Sequence, residues 1–210
     1  MHPIPFFSPA QHFWEKPQII RVRAYICGFC SHKVSSDRGY MIATQPNAAQ
    51  AGGIYICPHC SGPTFLTPQG EQLPSPAIGS AVSNVPEKLT ALYEEARRCT
   101  TTACYTGAVL LCRKMLMNIA VEQGAHEGLK FIEYVDFLSD KGYVPPKGKH
   151  WVDHIRKKGN EATHEIALMN QTDARELLTF LEMLLRFIYE FPAMIPDPAK
   201  QLVQPKKPIV

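Results

Sequence analysis

Between residues 18 and 67 the hydrophobic and polar positions follow the pattern of short strands. Gln18-Ile-Ile-Arg-Val-Arg-Ala-Tyr-Ile26 alternates in part and is rich in β-branched residues. Gly39-Tyr-Met-Ile-Ala-Thr44 predicts a second strand, Gly53-Ile-Tyr-Ile56 a third, and Pro63-Thr-Phe-Leu-Thr67 a fourth. Residues 68–85 are rich in Pro, Gly and Ser with almost no charge, the composition of a linker or an extended strap. From Pro86 onward the period changes to that of helices with few breakers. Asn84 followed by Pro86 marks a start, and Pro86–Arg98 places Leu89, Leu92 and Tyr93 on one face. A second helix is expected from about Thr102 to Gln123, apolar around most of its circumference and therefore central in its surroundings. A third is Leu129–Ser139, ended by Asp140-Lys141-Gly142. A fourth runs from about Lys149 toward Ile166, after Pro145-Pro146. The last is Asp173–Glu190, with Gln171-Thr172-Asp173 as its cap and acidic first turn and Pro192 as its stop. The expected fold class is α+β: a small antiparallel β module, then an all-α antiparallel bundle of five helices.

Two Cys-x-x-Cys knuckles sit within the strand region, Cys27-Gly-Phe-Cys30 and Cys57-Pro-His-Cys60. The other three of the seven cysteines, Cys99, Cys104 and Cys112, lie in the helical part without such spacing. An odd total and paired knuckles point to a metal in a reducing compartment rather than to disulfides. Each knuckle aims two thiolates at one point, and two knuckles complete a tetrahedral sulfur site. Zn²⁺ suits four such ligands and keeps no open position, so the expected role is structural. The 26 residues between the knuckles suit a zinc ribbon with a long hairpin over residues 18–68. So small a sheet buries little apolar surface, and the metal would supply much of its folding energy. With four cysteines available, neither His32 nor His59 is needed as a ligand, and both are expected as polar residues in solvent.

Length and composition narrow the rest. The chain has 210 residues, 45% hydrophobic and 20% charged, which fits one domain plus a small module and excludes wholesale disorder. No apolar run reaches the roughly 18–20 residues of a membrane span. The N-terminal stretch lacks a basic region before an apolar core, so no secretory signal and a cytoplasmic location are expected. A net charge of +3 is too small for nucleic-acid binding by bulk charge, so any such site is local. The expected organisation is a module at 1–68, a linker at 69–85, a helical bundle at 86–191 and a Pro/Lys tail at 192–210.

Two groups of polar residues in the helical part carry candidate chemistry. Arg113 lies in the middle of the central helix, with Val109, Leu110, Leu116, Met117 and Ala120 within about 60° of it. A buried guanidinium keeps its proton and demands a carboxylate or phosphate. An internal ion pair with Glu161, Glu165 or Glu182 is one reading, and a site arginine at a pocket or dimer seam is the other. On the fourth helix Arg156, Asn160 and His164 fall at i, i+4 and i+8 on one face, at the edge of the apolar stripe of Trp151, Ile155, Gly159, Ala162 and Ile166. A cation, an amide and an imidazole together can bind a phosphate and move a proton. From spacing alone, a solvated face with one core histidine is the simpler reading. His150 and His154 are also four apart, but Trp151 stands where a metalloprotease helix has glutamate. Lys147, Lys149, Arg156, Lys157 and Lys158 form the densest basic stretch, a candidate phosphate patch whose usual fate is solvation.

The runs Glu94-Glu-Ala-Arg-Arg-Cys, Ala108 to Glu122, Trp151-Val-Asp-His-Ile-Arg156 and Gly159-Asn-Glu-Ala-Thr-His164 together resemble the prokaryotic domain of unknown function 4145, over about residues 84–191. Members often carry an N-terminal zinc ribbon. The resemblance implies a relation to the HEPN superfamily of helical, commonly dimeric domains found in toxins, phage-defence systems and RNA-processing nucleases. Active members cut RNA without metal, through 2′-hydroxyl attack, with an Arg, a polar residue just after it, and a His separated from the Arg by four to six residues. Here seven residues separate Arg156 from His164, and Lys158 followed by Gly159 meets the shorter spacing instead. The motif is therefore degenerate. Two functions follow. One is RNA or nucleotide binding, or metal-independent RNA cleavage, with His164, Asn160 and Arg156 as catalytic residues and Lys157, Lys158 and Arg113 as nucleic-acid contacts. The other is a non-catalytic module that docks a partner protein of a defence or restriction system. A homodimer through the bundle is expected in either case. The last helix carries Leu177, Leu178, Phe180, Leu181, Leu184, Leu185, Phe187 and Ile188, more apolar surface than about 105 helical residues can cover.

Overall fold

A computed structural model describes residues 13–42, 52–144 and 168–195. Its fold is α+β, an antiparallel sheet followed in the chain by helices. The chain divides into two compact units, Met1–Ile78 with Arg97–Cys104, and Gly79–Ala96 with Tyr105–Val210.

In the first unit the described residues form a five-stranded antiparallel sheet in sequential order. Its strands are β1 (Gln18–Ile26), β2 (Lys33–Met41), β3 (Gly53–Ile56), β4 (Pro63–Leu66) and β5 (Gln72–Leu73). The expected first and third strands coincide with β1 and β3. β2 starts six residues before its expected position, because the polar run Val34-Ser-Ser-Asp-Arg38 pairs with β1 rather than forming a loop. Its buried Ser36 is tolerated since the hydroxyl donates to the Ile56 carbonyl at 2.7 Å. β5 falls inside the Pro-rich segment and is too short for any period, yet Leu73 pairs with Phe65. The partial alternation of β1 also has a structural cause. Ile19 pairs with Arg38 and Arg23 with Ser36, an irregularity of two residues. Through it, Ile20 and Tyr25 are both buried although an odd interval separates them.

After β5 the chain runs as a strap along the last turn of the first helix, α1 (Glu87–Thr101). The Ser75 N–H donates to the Thr101 carbonyl at 3.0 Å. The Ile78 N–H donates to Thr100 Oγ1 at 3.1 Å, and Arg97 Nε to the Ile78 carbonyl at 3.2 Å. These bonds satisfy backbone groups that a segment without a period would otherwise leave to water.

The second unit is helical. α2 (Tyr105–Glu122) packs against α3 (Phe131–Asp140) and α4 (Gln171–Leu185). It buries Ala108, Val109, Cys112, Met115, Leu116, Ile119 and Ala120, while Leu110 stays about half exposed. α4 answers with Leu177, Leu178, Phe180, Leu181, Leu184 and Leu185, all buried. Each such side chain contributes about 1.5–3 kcal/mol relative to exposure. α4 is capped by Asn170, one residue before the expected cap. Its Oδ1 accepts from the Thr172 and Asp173 N–H groups at 2.8 and 3.1 Å, and the Asp173 carboxylate accepts from the Asn170 N–H at 2.9 Å. Pro192 does not stop the last helix. A π-helical turn at Arg186–Glu190 widens the ladder, and Pro192 then sits in the first turn of α5 (Phe191–Met194), where its missing N–H costs nothing. The expected helix from Lys149 to Ile166 lies outside the described residues.

α1 and α2 are separate because Ala103 takes a left-handed conformation, φ 60°, which lets the Cys104 N–H reach the Cys99 carbonyl at 2.8 Å. This break sets the start of α2 three residues after the expected one. α2 and α3 end in the same way on Gly124 and Gly142, φ 101° and 82°, where no Cβ opposes the conformation. Ala103 is exposed and gains nothing from its methyl group. Ala103→Gly should stabilise the protein by about 1 kcal/mol, read as a melting temperature ~2–4 °C higher in thermal denaturation.

Candidate metal centre

The meander explains why the two knuckles meet. Cys27–Cys30 turns β1 into β2, and Cys57–Cys60 turns β3 into β4. In a sequential antiparallel sheet these two turns lie at the same end, and the pairing of β2 with β3 sets them side by side. The knuckles repeat each other's backbone. Cys27 N–H donates to the His32 carbonyl at 2.9 Å, and Ser31 N–H to the Cys27 carbonyl at 2.8 Å. Cys57 N–H donates to the Gly62 carbonyl at 2.9 Å, and Ser61 N–H to the Cys57 carbonyl at 2.8 Å. Ser31 and Ser61 both take left-handed φ values, 59° and 60°, to close these turns.

The four sulfurs converge, with every pair within 4.8 Å. Cys27 Sγ lies 3.7 Å from Cys60 Sγ, and Cys30 Sγ lies 3.8 Å from Cys57 Sγ. A tetrahedron with metal–sulfur bonds of about 2.3 Å has edges of about 3.8 Å, so the donor set fits one tetrahedral ion. The structure therefore holds a candidate metal site of four cysteines, Cys27, Cys30, Cys57 and Cys60. Cys27 and Cys57 are wholly buried, whereas Cys30 and Cys60 are half-buried. Burial pushes the Cys27 thiol up to about 11, with the neighbouring sulfurs adding to it, and it also raises Cys60. Burial opposes ionisation at Cys57 too, but the Cys60 and His59 N–H groups bond its sulfur and lower its value overall. A cation is what makes four thiolates at this spacing tolerable.

Three contacts around the knuckles have no signature in the sequence pattern. Trp14 Nε1 donates to the Ser61 carbonyl at 2.8 Å, and the indole meets Tyr40 edge-on. Gln72 Nε2 donates to the Ile26 carbonyl at 2.7 Å and to the Pro74 carbonyl at 2.9 Å. The strap also lies directly on the first knuckle: a Cβ at Gly28 would stand 2.5 Å from the Pro74 carbonyl oxygen and 2.7 Å from that of Ser75. His32 and His59 are exposed and stack on each other, with ring centroids 3.6 Å apart.

In the helical unit Arg113 is buried, and its guanidinium lies 4.3 Å from the centre of the Phe131 ring. Burial lowers its pKa. Among the described residues Nη1 has no hydrogen-bond partner. Glu182, one of the three expected partners, is engaged elsewhere, accepting from Arg186 at 2.9 Å and from the Ser80 N–H at 2.9 Å. Glu161 and Glu165 lie outside the described residues, as do Arg156, Lys157, Lys158, Asn160 and His164. Cys112 is buried in α2 of the helical unit.

The family described as "Domain of unknown function (DUF4145)" matches residues 94–204, more than half of the chain. The protein belongs to the DUF4145 family. The match begins inside α1 and leaves the sheet and its four cysteines outside the DUF4145 region. No curated protein and no solved structure matches the chain. Among the described residues no helix is long and apolar enough to cross a membrane.

Native mass spectrometry should find one metal ion per chain on the four cysteines. Cys27→Ser should abolish metal retention and unfold the sheet, with most of the helical circular dichroism retained.

Proposed function

We propose that this DUF4145 protein is a zinc-ribbon protein whose helical region acts on RNA or a nucleotide. Structural Zn²⁺ is the ion that the four-cysteine donor set suits best, since tetrahedral thiolate coordination with no open position is its usual structural mode. The observation that supports a nucleic-acid ligand is Arg113. It is a buried cation held over an aromatic ring, with an unpartnered nitrogen and no carboxylate on it among the described residues. A phosphate oxygen would supply the missing acceptor. The site would include Lys157 and Lys158 as further phosphate contacts. If the protein cleaves RNA, His164 is the general acid/base, Asn160 orients the reacting groups, and Arg156 or Lys158 holds the phosphate. The 2′-hydroxyl loses its proton to the imidazole and attacks phosphorus. The 5′-oxygen leaves with a proton, and a 2′,3′-cyclic phosphate remains. The degenerate spacing of the motif is compatible with binding alone. The setting that fits is a cytoplasmic defence or toxin system of a prokaryote.

A second reading, the docking of a partner protein without catalysis, draws on an exposed apolar surface. Phe187, Phe191, Met194 and Ile195 are all more than a third exposed, and Phe187 and Phe191 line a groove with Met183 and Thr179. In the first reading the same surface is the seam of the expected homodimer. Light scattering should then give twice the 23.5 kDa chain mass, and Phe187→Glu should return the monomer.

Incubation of the purified protein with RNA in the presence of a chelator tests the main reading. Wild type should retain RNA in a salt-dependent manner. Any cleavage should survive EDTA, spare DNA and fall by at least ~100-fold in His164→Ala with little loss of affinity. No RNA retention at low salt, together with a stable protein partner unaffected by loss of His164, would establish the second reading instead. Arg113→Met separates a ligand site from an internal ion pair. Loss of an unpaired buried charge should raise the melting temperature by ~2–4 °C, the shift that about 1 kcal/mol gives at this length, while weakening RNA retention. A lower melting temperature would show that Arg113 has an internal carboxylate.

A further inference from the structure

Cys30 belongs to two groups of potential ligands. Besides the four-cysteine cluster, its sulfur lies within 4.8 Å of ring nitrogens of His32 and His59, which also lie within 4.8 Å of each other. Both imidazoles are exposed, and Cys30 is half-buried on the same side. His32 Nδ1 lies 2.9 Å from the Cys30 carbonyl oxygen. That oxygen can only accept, so Nδ1 donates to it, and Nε2 is the nitrogen left for a metal. A backbone carbonyl holding the far nitrogen is the usual support of a metal-binding histidine. Among the described residues no hydrogen bond holds the His59 imidazole, which is exposed, so the ring is free to turn out of the stack. Electrostatics favour a second cation here. Four thiolates and one divalent ion leave a net charge of about −2, on the face where the imidazoles stand.

We propose that Cys30, His32 and His59 form a second, solvent-facing zinc site that shares the Cys30 thiolate with the ion of the four-cysteine cluster. The inference rests on the zinc-ribbon reading, because it needs Cys30 to be a metal-bound thiolate. Two imidazole nitrogens at about 2.0–2.1 Å and one bridging sulfur at about 2.3 Å make three ligands, and water completes a tetrahedron. Ligand atoms in that geometry stand about 3.3–3.6 Å apart. The exposed histidines must therefore close by about 1.5 Å at most and unstack, and the sulfur stays in place. A nitrogen-rich, open site of this kind binds more weakly than the closed four-sulfur site and takes up its ion second.

The test is zinc stoichiometry of the full-length protein by native mass spectrometry, before and after equilibration with excess Zn²⁺, with Co²⁺ substitution as a spectroscopic check. Wild type should carry one ion as purified and two in excess zinc. The double variant His32→Ala/His59→Ala should carry one in both conditions and keep the intense sulfur-to-cobalt charge-transfer bands of the four-cysteine site. The single variants His32→Gln and His59→Gln should each weaken the second ion at least ~10-fold. A wild type that stays at one ion in excess zinc overturns the second site and leaves the ribbon intact. A second ion that persists in the double variant also overturns it, since the ion would then sit on other residues. A wild type with no ion at all would instead overturn the zinc-ribbon reading.

Discussion

Convergence of four thiols at one end of a five-stranded sheet is the constraint on which the first unit depends. The buried hydrophobic core of the sheet is Ile20, Tyr25, Tyr55 and the two innermost cysteines, with Phe29, Val34 and Leu66 packed at their edge. Ile19, Val22, Ile26, Ile54 and Leu73 remain more than a third exposed. So few buried side chains do not offset the entropy of ordering some fifty residues at ~1–2 kcal/mol each. A metal ion on the four sulfurs would close that gap by cross-linking both hairpins at their turns, where Ser31 and Ser61 take left-handed conformations.

Around this centre the chain adds cover rather than more sheet. Trp14 closes on the second knuckle and the strap after β5 on the first. The strap is fixed in turn by the last turn of α1, through Ser75, Ile78, Arg97 and Thr100. α1 thus gives its final turn to the sheet unit and its earlier turns to the helical unit. The DUF4145 match starts at residue 94, so the sequence of the family domain already includes the turn that clasps the strap. A segment that composition marks as a linker is, in its first half, part of the packing around the knuckles.

The helical unit is organised around an apolar α2 whose one buried charge is the exception. Arg113 could be replaced by methionine with better packing, since a buried guanidinium over Phe131 is costly without a full set of acceptors. Residues that cost stability in this way are those a function retains. That argument links the fold to the proposed phosphate ligand without depending on His164.

The four cysteines of the candidate metal site were legible from sequence because the spacing of each knuckle is a local property: two residues between cysteines dictate the turn. Strand positions β1, β3 and β4 and most of the helices were legible for the same reason, through their periods and breakers. The fourfold cluster itself needed the tertiary structure, since only the sequential meander brings residues 27 and 60 within 3.7 Å between sulfurs. β5, the docking of Trp14 and the clasp at Thr100 had no local signal, because each is satisfied by backbone groups far along the chain. The break at Ala103 was hidden as well, since alanine favours the helix and only the alternative bonding of Cys104 to Cys99 pays for its left-handed turn. Arg113 shows the same division. Its burial followed from its apolar neighbours one turn away on α2, but its seat on Phe131, and the loss of Glu182 to Arg186 and Ser80, depended on how α2, α3 and α4 pack.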